Sequence, residues 1–208
     1  MADNRIDLVH LFGQVAKTLA QNKAPLNKAD TYNKNHGDNM VEIFKVIAQA
    51  VEEKRSASAA DQLEYAASLL RQKESGSAQV YSQGLFQAAK DFKGKTVTTA
   101  NALQLVQDLL GGGQPASTAQ SGDAISSLLK GVMGGEQAGG NESLDASDLL
   151  NAGLAFMSAK QKGDSNVDAL VKAVVSNSAM SSSPHRAQSG ELVMDTLLNV
   201  IGSMAQRK

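Results

Sequence analysis

Apolar residues recur every three or four positions along most of this chain, which is the spacing of amphipathic helices. In the first half the pattern predicts five helices, at about residues 6–19, 40–54, 60–73, 75–94 and 99–110. Pro25 follows a polar run that is expected to end the first helix, and Thr98 or Thr99 is expected to cap the fifth. No stretch alternates apolar and polar residues over the length of a strand, so the chain is predicted to be all-α.

Residues 111–140 break this pattern, because runs of glycine alternate there with serine, glutamine and alanine. Such a composition buries little apolar surface, so the segment is predicted to be an insertion with mobile ends. Helical periodicity returns at residues 144–157 and 167–175. A last helix is predicted at about residues 189–206, after a serine-rich loop that ends at Pro184.

Composition narrows the function classes without naming one. With 42% apolar and 20% charged residues, residues 1–208 are predicted to form a single globular domain. Lysine and arginine number 20 against 21 acidic residues, and aromatic residues are scarce, so we expect no nucleic-acid partner. No apolar run approaches the roughly 18 residues of a membrane span, and a cytoplasmic location is expected. The absence of cysteine excludes thiolate chemistry and disulfides.

The candidate chemistry lies in a polar stretch at residues 30–40, directly ahead of the second helix. It combines carboxylate and amide oxygens, the imidazole of His36 and a glycine at a helix N-terminus, where free N–H groups favour an anion such as phosphate. A second small-residue loop, Ser75, Gly76 and Ser77, precedes the fourth helix. The alternative interpretation is that both loops only begin helices and cap them.

Three sequence blocks, in order, carry a resemblance to a known family. The first is Asp30, Asn33 and Asn35 followed by His36-Gly-Asp-Asn-Met40; the second runs from Ser75 to Tyr81; the third runs from Gly163 to Leu170 and includes Val167. Together they resemble the DhaL-type family, the nucleotide-binding L subunit or domain of dihydroxyacetone kinases. The resemblance covers about three quarters of the chain.

The resemblance implies an up-and-down antiparallel barrel or bundle of about eight helices that binds ADP or ATP with Mg²⁺. It implies metal ligands at Asp30, Asn33 and Asn35, and cofactor contacts at His36, Gly37, Asp38, Asn39, Gly76, Ser77 and Val167. It also implies a substrate-binding kinase subunit and a phosphoryl donor protein as partners. If these expectations hold, the two loops must lie at the same end of the bundle.

The chain departs from the family where the metal would bind. Asn33 and Asn35 stand where the family has aspartates, and a neutral amide brings no charge to a Mg²⁺ ion that sheds water reluctantly. Asp38 is either an additional ligand or only a helix-capping charge. The first hypothesis is therefore a degenerate member acting as a binding or scaffold module with weak or no kinase activity. The alternatives are an active phosphotransferase subunit for dihydroxyacetone or a similar small substrate, and an unrelated helical interaction protein.

Overall fold

The computed structural model describes residues 5–111, 171, 175, 178 and 182–206. Seven helices lie in this part of the chain: α1 Leu8–Gln21, α2 Lys23–Ala29, α3 His36–Glu53, α4 Ala59–Arg71, α5 Gly76–Asp91, α6 Ala102–Gly111 and α7 Pro184–Gln206. The predicted all-α class is confirmed, since the only β pairing among the described residues is an isolated bridge between Arg5 and Thr98. A closed barrel of eight helices stays a prediction.

The core forms where the apolar stripes of the first five long helices meet. Successive members of the series α1, α3, α4, α5 and α6 pack against one another, and α7 covers α1, α2, α3 and α6. The ring of Phe44 lies 5.0 Å from that of Tyr81 in an edge-on contact and 6.5 Å from that of Phe12, centroid to centroid. All three rings are fully buried, so aromatic packing links α1, α3 and α5.

Glycine permits a close contact between α5 and α6. A Cβ built on Gly84 of α5 would lie 2.5 Å from the carbonyl oxygen of Asp108 and 2.6 Å from that of Leu109, both in α6. No side chain fits between these backbones. The absence of a side chain at this position therefore sets how closely α5 and α6 approach.

Four helix starts differ from the sequence predictions, and one of them is that of α3, which begins at His36 and not near residue 40. Pro25 lies inside the short helix α2, which the sequence analysis did not predict. In the first turn of a helix the backbone N–H groups have no acceptor within the helix, so proline, which lacks an N–H, is tolerated there. Pro184 begins α7 for the same reason, five residues before the predicted start. Neither Thr98 nor Thr99 caps α6, because Asn101 accepts a hydrogen bond from the Thr98 N–H and α6 begins at Ala102.

The chain divides into two compact units, one of Met1–Gln114 with Ser178–Lys208 and the other of Pro115–Asn177. Six of the seven helices lie wholly in the first segment of the first unit, and α7 lies in its second segment. The predicted insertion and the helices predicted at 144–157 and 167–175 lie outside the described residues, apart from the buried Val171 and Val175. None of the described helices is long and apolar enough to cross a membrane.

Candidate functional site

A polar pocket of about 550 Å³ opens where α3, α5 and α7 begin. Its walls come from three separate parts of the chain: the loop before α3, the loop before α5 and the first turn of α7 with the residues just before it. The lining residues are Asp30, Tyr32, Asn33, Asn35, His36, Asn39, Glu74, Ser75, Gly76, Ser77, Ser182, Ser183, His185 and Arg186. The two loops singled out in the sequence therefore face the same pocket.

Most of the predicted site residues border this pocket, but not all of them do. Gly37 and Asp38 are not among the residues that line it. Gly37 is buried against α2, where a Cβ would collide with the carbonyl oxygen of Lys23. Val167 lies outside the described residues. The pocket is thus built from seven of the predicted residues together with residues of α7 that the sequence analysis did not propose as ligands.

Asp38 is engaged on the α2 side of α3. Its carboxylate forms a 2.9 Å ion pair with Lys23 and accepts a 2.7 Å hydrogen bond from Asn27. The hydrogen bonds from these two side chains hold the pKa of Asp38 below its ordinary value. The two roles considered for Asp38, metal ligand and helix-capping charge, stay predictions; in this structure its oxygens connect α3 to α2.

Two of the three helices that begin at the pocket, α3 and α5, lack a capping bond from the side chain at their N-cap, as the short helix α2 also does. Asp7 caps α1 by accepting hydrogen bonds from two backbone N–H groups, and Ser58 caps α4 in the same way with one. By contrast, Asn35 before α3 and Ser75 before α5 make no side-chain capping bond, although the Asp38 N–H in the first turn of α3 donates a 3.2 Å hydrogen bond to Oδ1 of Asn27. Helix N-termini with uncapped N–H groups attract anions.

Two basic side chains stand in the first turn of α7. His185 and Arg186 directly follow Pro184, and no acidic residue accompanies them in that turn. A cation at a helix N-terminus is repelled by the positive end of the helix dipole. Its placement there lowers the stability of the protein unless another interaction offsets the repulsion. Positive charge in the first turn of a helix is visible in the sequence, but it was not among the predicted site features.

His36 is in the wall of the pocket but is almost closed to solvent, with 4% of its surface exposed. Its Nε2 lies 2.9 Å from Oγ of Ser189, and its ring contacts that of His185 edge-on at 4.7 Å between centroids. Burial, and then the nearby charge of His185, lower the pKa of His36 to about 4. His36 is therefore neutral near pH 7.

Asp30 is the buried carboxylate of the site. Its two oxygens accept hydrogen bonds from the backbone N–H groups of Tyr32, at 3.0 Å, and Asn35, at 3.3 Å. Burial by itself would raise the pKa of Asp30, but these backbone donors and the nearby His185 outweigh it, and the pKa is lowered. The carboxylate is ionised and shapes the loop that leads into α3.

The oxygens expected to hold Mg²⁺ are already engaged within the protein. Oδ1 of Asn35 accepts a 3.0 Å hydrogen bond from Asn39, and Oδ1 of Asn33 accepts one of 3.4 Å from the Asn35 N–H. Within the described part of the chain no group of three or more His, Asp or Glu side chains is arranged to hold a metal ion. One carboxylate and two neutral amides, whose oxygens already accept hydrogen bonds, are a poor fit to Mg²⁺, which sheds water reluctantly for neutral ligands.

Comparison of the chain with protein-family models, with curated proteins and with solved structures finds no match.

Proposed function

We propose that this chain is a divergent DhaL-like protein that binds the phosphate group of a small molecule and acts as a binding module with weak or no kinase activity. The observation that carries the proposal is the meeting of three helix N-termini at one pocket, two of them without a hydrogen bond from the side chain of their own N-cap residue. Backbone N–H groups at such ends bind phosphate directly, and the helix dipole adds to the attraction.

The hydrogen-bond donors around the pocket support an anionic ligand, although two carboxylates also line it. Arg186 contributes a guanidinium, which binds phosphate oxygens through paired N–H donors. Of the two carboxylates that line the pocket, Asp30 is committed to backbone N–H groups and Glu74 is exposed on the rim. An incoming phosphate would meet mainly donors: backbone N–H groups, the hydroxyl of Ser77 and the guanidinium.

The poor fit to Mg²⁺ argues against phosphoryl transfer. Transfer from a nucleotide depends on positioning and on positive charge that stabilises the transferred group. At an effective dielectric near 20, each carboxylate within about 4 Å of a cation contributes roughly 4 kcal/mol, and two of the three expected carboxylates are amides. A phosphate held by N–H groups and Arg186 needs no metal ion.

The alternative is a working Mg-ADP or Mg-ATP phosphotransferase subunit whose substrate, dihydroxyacetone or a similar small molecule, is held by a partner subunit. One observation favours it: Asp30, Asn33 and Asn35 all border the same pocket as Ser77. Metal ligands and phosphate-binding hydroxyls would have to converge in this way in an active site.

Calorimetric titration tests the proposal. Inorganic phosphate and ADP, each with and without Mg²⁺, are titrated into the wild type, Arg186→Gln and Arg55→Gln. Arg55 lies beyond the far end of α3, where it pairs with Asp7, and serves as the control. We expect binding that does not require Mg²⁺ and that falls at least about tenfold in Arg186→Gln alone, as loss of a charged hydrogen bond implies.

Two results would contradict this function. Absence of phosphate and ADP binding by the wild type at millimolar ligand would mean that the pocket is not an anion site. Mg²⁺-dependent binding of ADP tighter than about micromolar would instead favour the phosphotransferase.

A further inference from the structure

We propose that His36 is a positioning residue, which holds the first turn of α7 in place through Ser189 and does not itself bind the anion. The inference rests on the function proposed above. It departs from the resemblance, in which the corresponding histidine contacts a nucleotide phosphate.

Two buried hydrogen bonds connect Ser189 with His36 and with the backbone of Arg186. Ser189 is fully buried, and its Oγ lies 2.9 Å from Nε2 of His36 and 2.9 Å from the carbonyl oxygen of Arg186. The hydroxyl carries one proton, which it donates to that carbonyl. Its oxygen then accepts the proton on Nε2, and this network assigns the tautomer of the neutral imidazole.

The hydrogen bond of the imidazole and its ring contact are therefore both with α7. Nε2 points at Ser189, and the ring packs edge-on against His185, which precedes Arg186 in the same turn. The ring is 4% exposed, so it offers almost no accessible surface to a ligand in the pocket. Its contacts instead restrain the backbone from which Arg186 extends.

This restraint matters because the two sides of the pocket are remote in sequence. The bond between His36 and Ser189 joins residues 153 positions apart. A binding site loses affinity when its supporting contacts let a ligand-binding group move by about 1 Å. We therefore expect the affinity for an anion to depend on His36 through the position of Arg186.

Three variants test the inference: His36→Gln, which keeps a donor near the position of Nε2, His36→Leu and Ser189→Ala. Ser203→Ala is the matched control, because Ser203 also lies in α7 and donates to the carbonyl three residues earlier, but is exposed. His10→Gln, at an exposed position of α1, is the control for the histidine change. Two quantities are measured: the dissociation constant for inorganic phosphate, and hydrogen exchange of the amides at residues 187–190 in the free protein.

We expect His36→Leu and Ser189→Ala to weaken phosphate binding about tenfold and to speed exchange at residues 187–190, since each leaves a buried polar group without its partner. The two changes combined should cost no more than one alone, because they remove the same interaction. His36→Gln should bind within about threefold of the wild type.

Two outcomes would overturn the inference. The first is binding by Ser189→Ala at wild-type strength while His36→Gln binds as weakly as His36→Leu, which would make His36 a direct ligand contact. The second is unchanged exchange at residues 187–190 in both His36→Leu and Ser189→Ala. If the wild type binds no phosphate, the proposed function fails, and the exchange measurement alone decides whether His36 positions α7.

Discussion

The guanidinium of Arg186 lies over the glycine that begins α5: a Cβ built on Gly76 would stand 2.7 Å from Nη2 of Arg186. Arg186 belongs to the first turn of α7, so this contact brings a cation to the positive ends of two helices at once. The guanidinium and the positive ends of the two helices therefore repel one another. An anion beside them would relieve that repulsion.

Gly76→Ala should displace the guanidinium and weaken phosphate binding about three- to tenfold, as the loss of part of one charged contact implies. The atom that the new methyl group meets is the end of a flexible side chain, so the free energy of unfolding should change by less than about 1 kcal/mol. Titration calorimetry and thermal unfolding measure the two effects. Unchanged phosphate affinity in a folded variant would place Arg186 outside the binding site.

Restoring carboxylates should rebuild a metal site if the loop before α3 retains its conformation. The variant Asn33→Asp with Asn35→Asp should bind Mg-ADP at least about tenfold more tightly than the wild type, by the same charge argument as above. Asp38 is best left unchanged, because it pairs with Lys23. The two proteins are compared by calorimetry at equal salt. No gain in Mg²⁺-dependent affinity would show that the loop can no longer place oxygens around the ion.

Substitution of two glycines by alanine is expected to change the stability of the protein in opposite directions. In Gly84→Ala, the new methyl group meets backbone atoms of Asp108 and Leu109 at 2.8 Å or less, so α5 and α6 must separate. We expect a loss of about 2 kcal/mol or more. Gly13→Ala in α1 meets nothing within 4 Å and should gain up to about 1 kcal/mol, because alanine favours the helix. Unfolding in urea measures the free energy of unfolding of each variant. Changes of the same sign in the two variants would contradict the packing argument.

Asp108 makes the stability of the fold dependent on pH. It is 8% exposed on α6; its Oδ1 accepts a 2.8 Å hydrogen bond from Gln104, while Oδ2 has no hydrogen-bond partner among the described residues. Burial, together with the nearby carboxylate of Asp91 on α5, raises the pKa of Asp108 to about 7, although the Gln104 bond opposes this. The folded protein therefore holds a proton that the unfolded chain releases near pH 4.

Because the folded state binds the extra proton, this contribution to stability is complete below about pH 4 and is lost as the pH rises to about 7. Asp108→Asn should remove that loss, and at pH 8 it should be more stable than the wild type by roughly 2–4 kcal/mol. Chemical unfolding between about pH 5 and 8 measures the slope. Equal slopes in the two proteins would refute the raised pKa.

Helical periodicity was sufficient to predict most of the described helices. The predicted helix at residues 6–19 corresponds to α1, and the one at 60–73 corresponds to α4, because each has a continuous apolar stripe to bury. Helix α2 was missed for a physical reason: it has only seven residues, of which Leu26 alone is buried, and it contains Pro25. So short a helix is stabilised by packing against α3, and the local sequence pattern does not encode that contact.

The candidate site was predictable only in part. The loops before α3 and α5 have a local signature of small and polar residues, which indicated them before their proximity was known. Ser189 has no such signature, since a serine inside a helix is ordinary. Its role follows from a contact with His36 across the fold, and spacing along the chain gives no indication of that contact.

The pocket is completed by the helix nearest the end of the sequence, and this has a consequence for folding. Contacts between neighbouring segments, such as those of α4 with α5, close short loops, whereas the contact of α3 with α7 must close a loop of about 150 residues at a greater entropic cost. A ligand held between these helices binds only chains in which that long loop has closed. By mass action it would raise the population of this docked state, so occupancy of the pocket would report on completed folding.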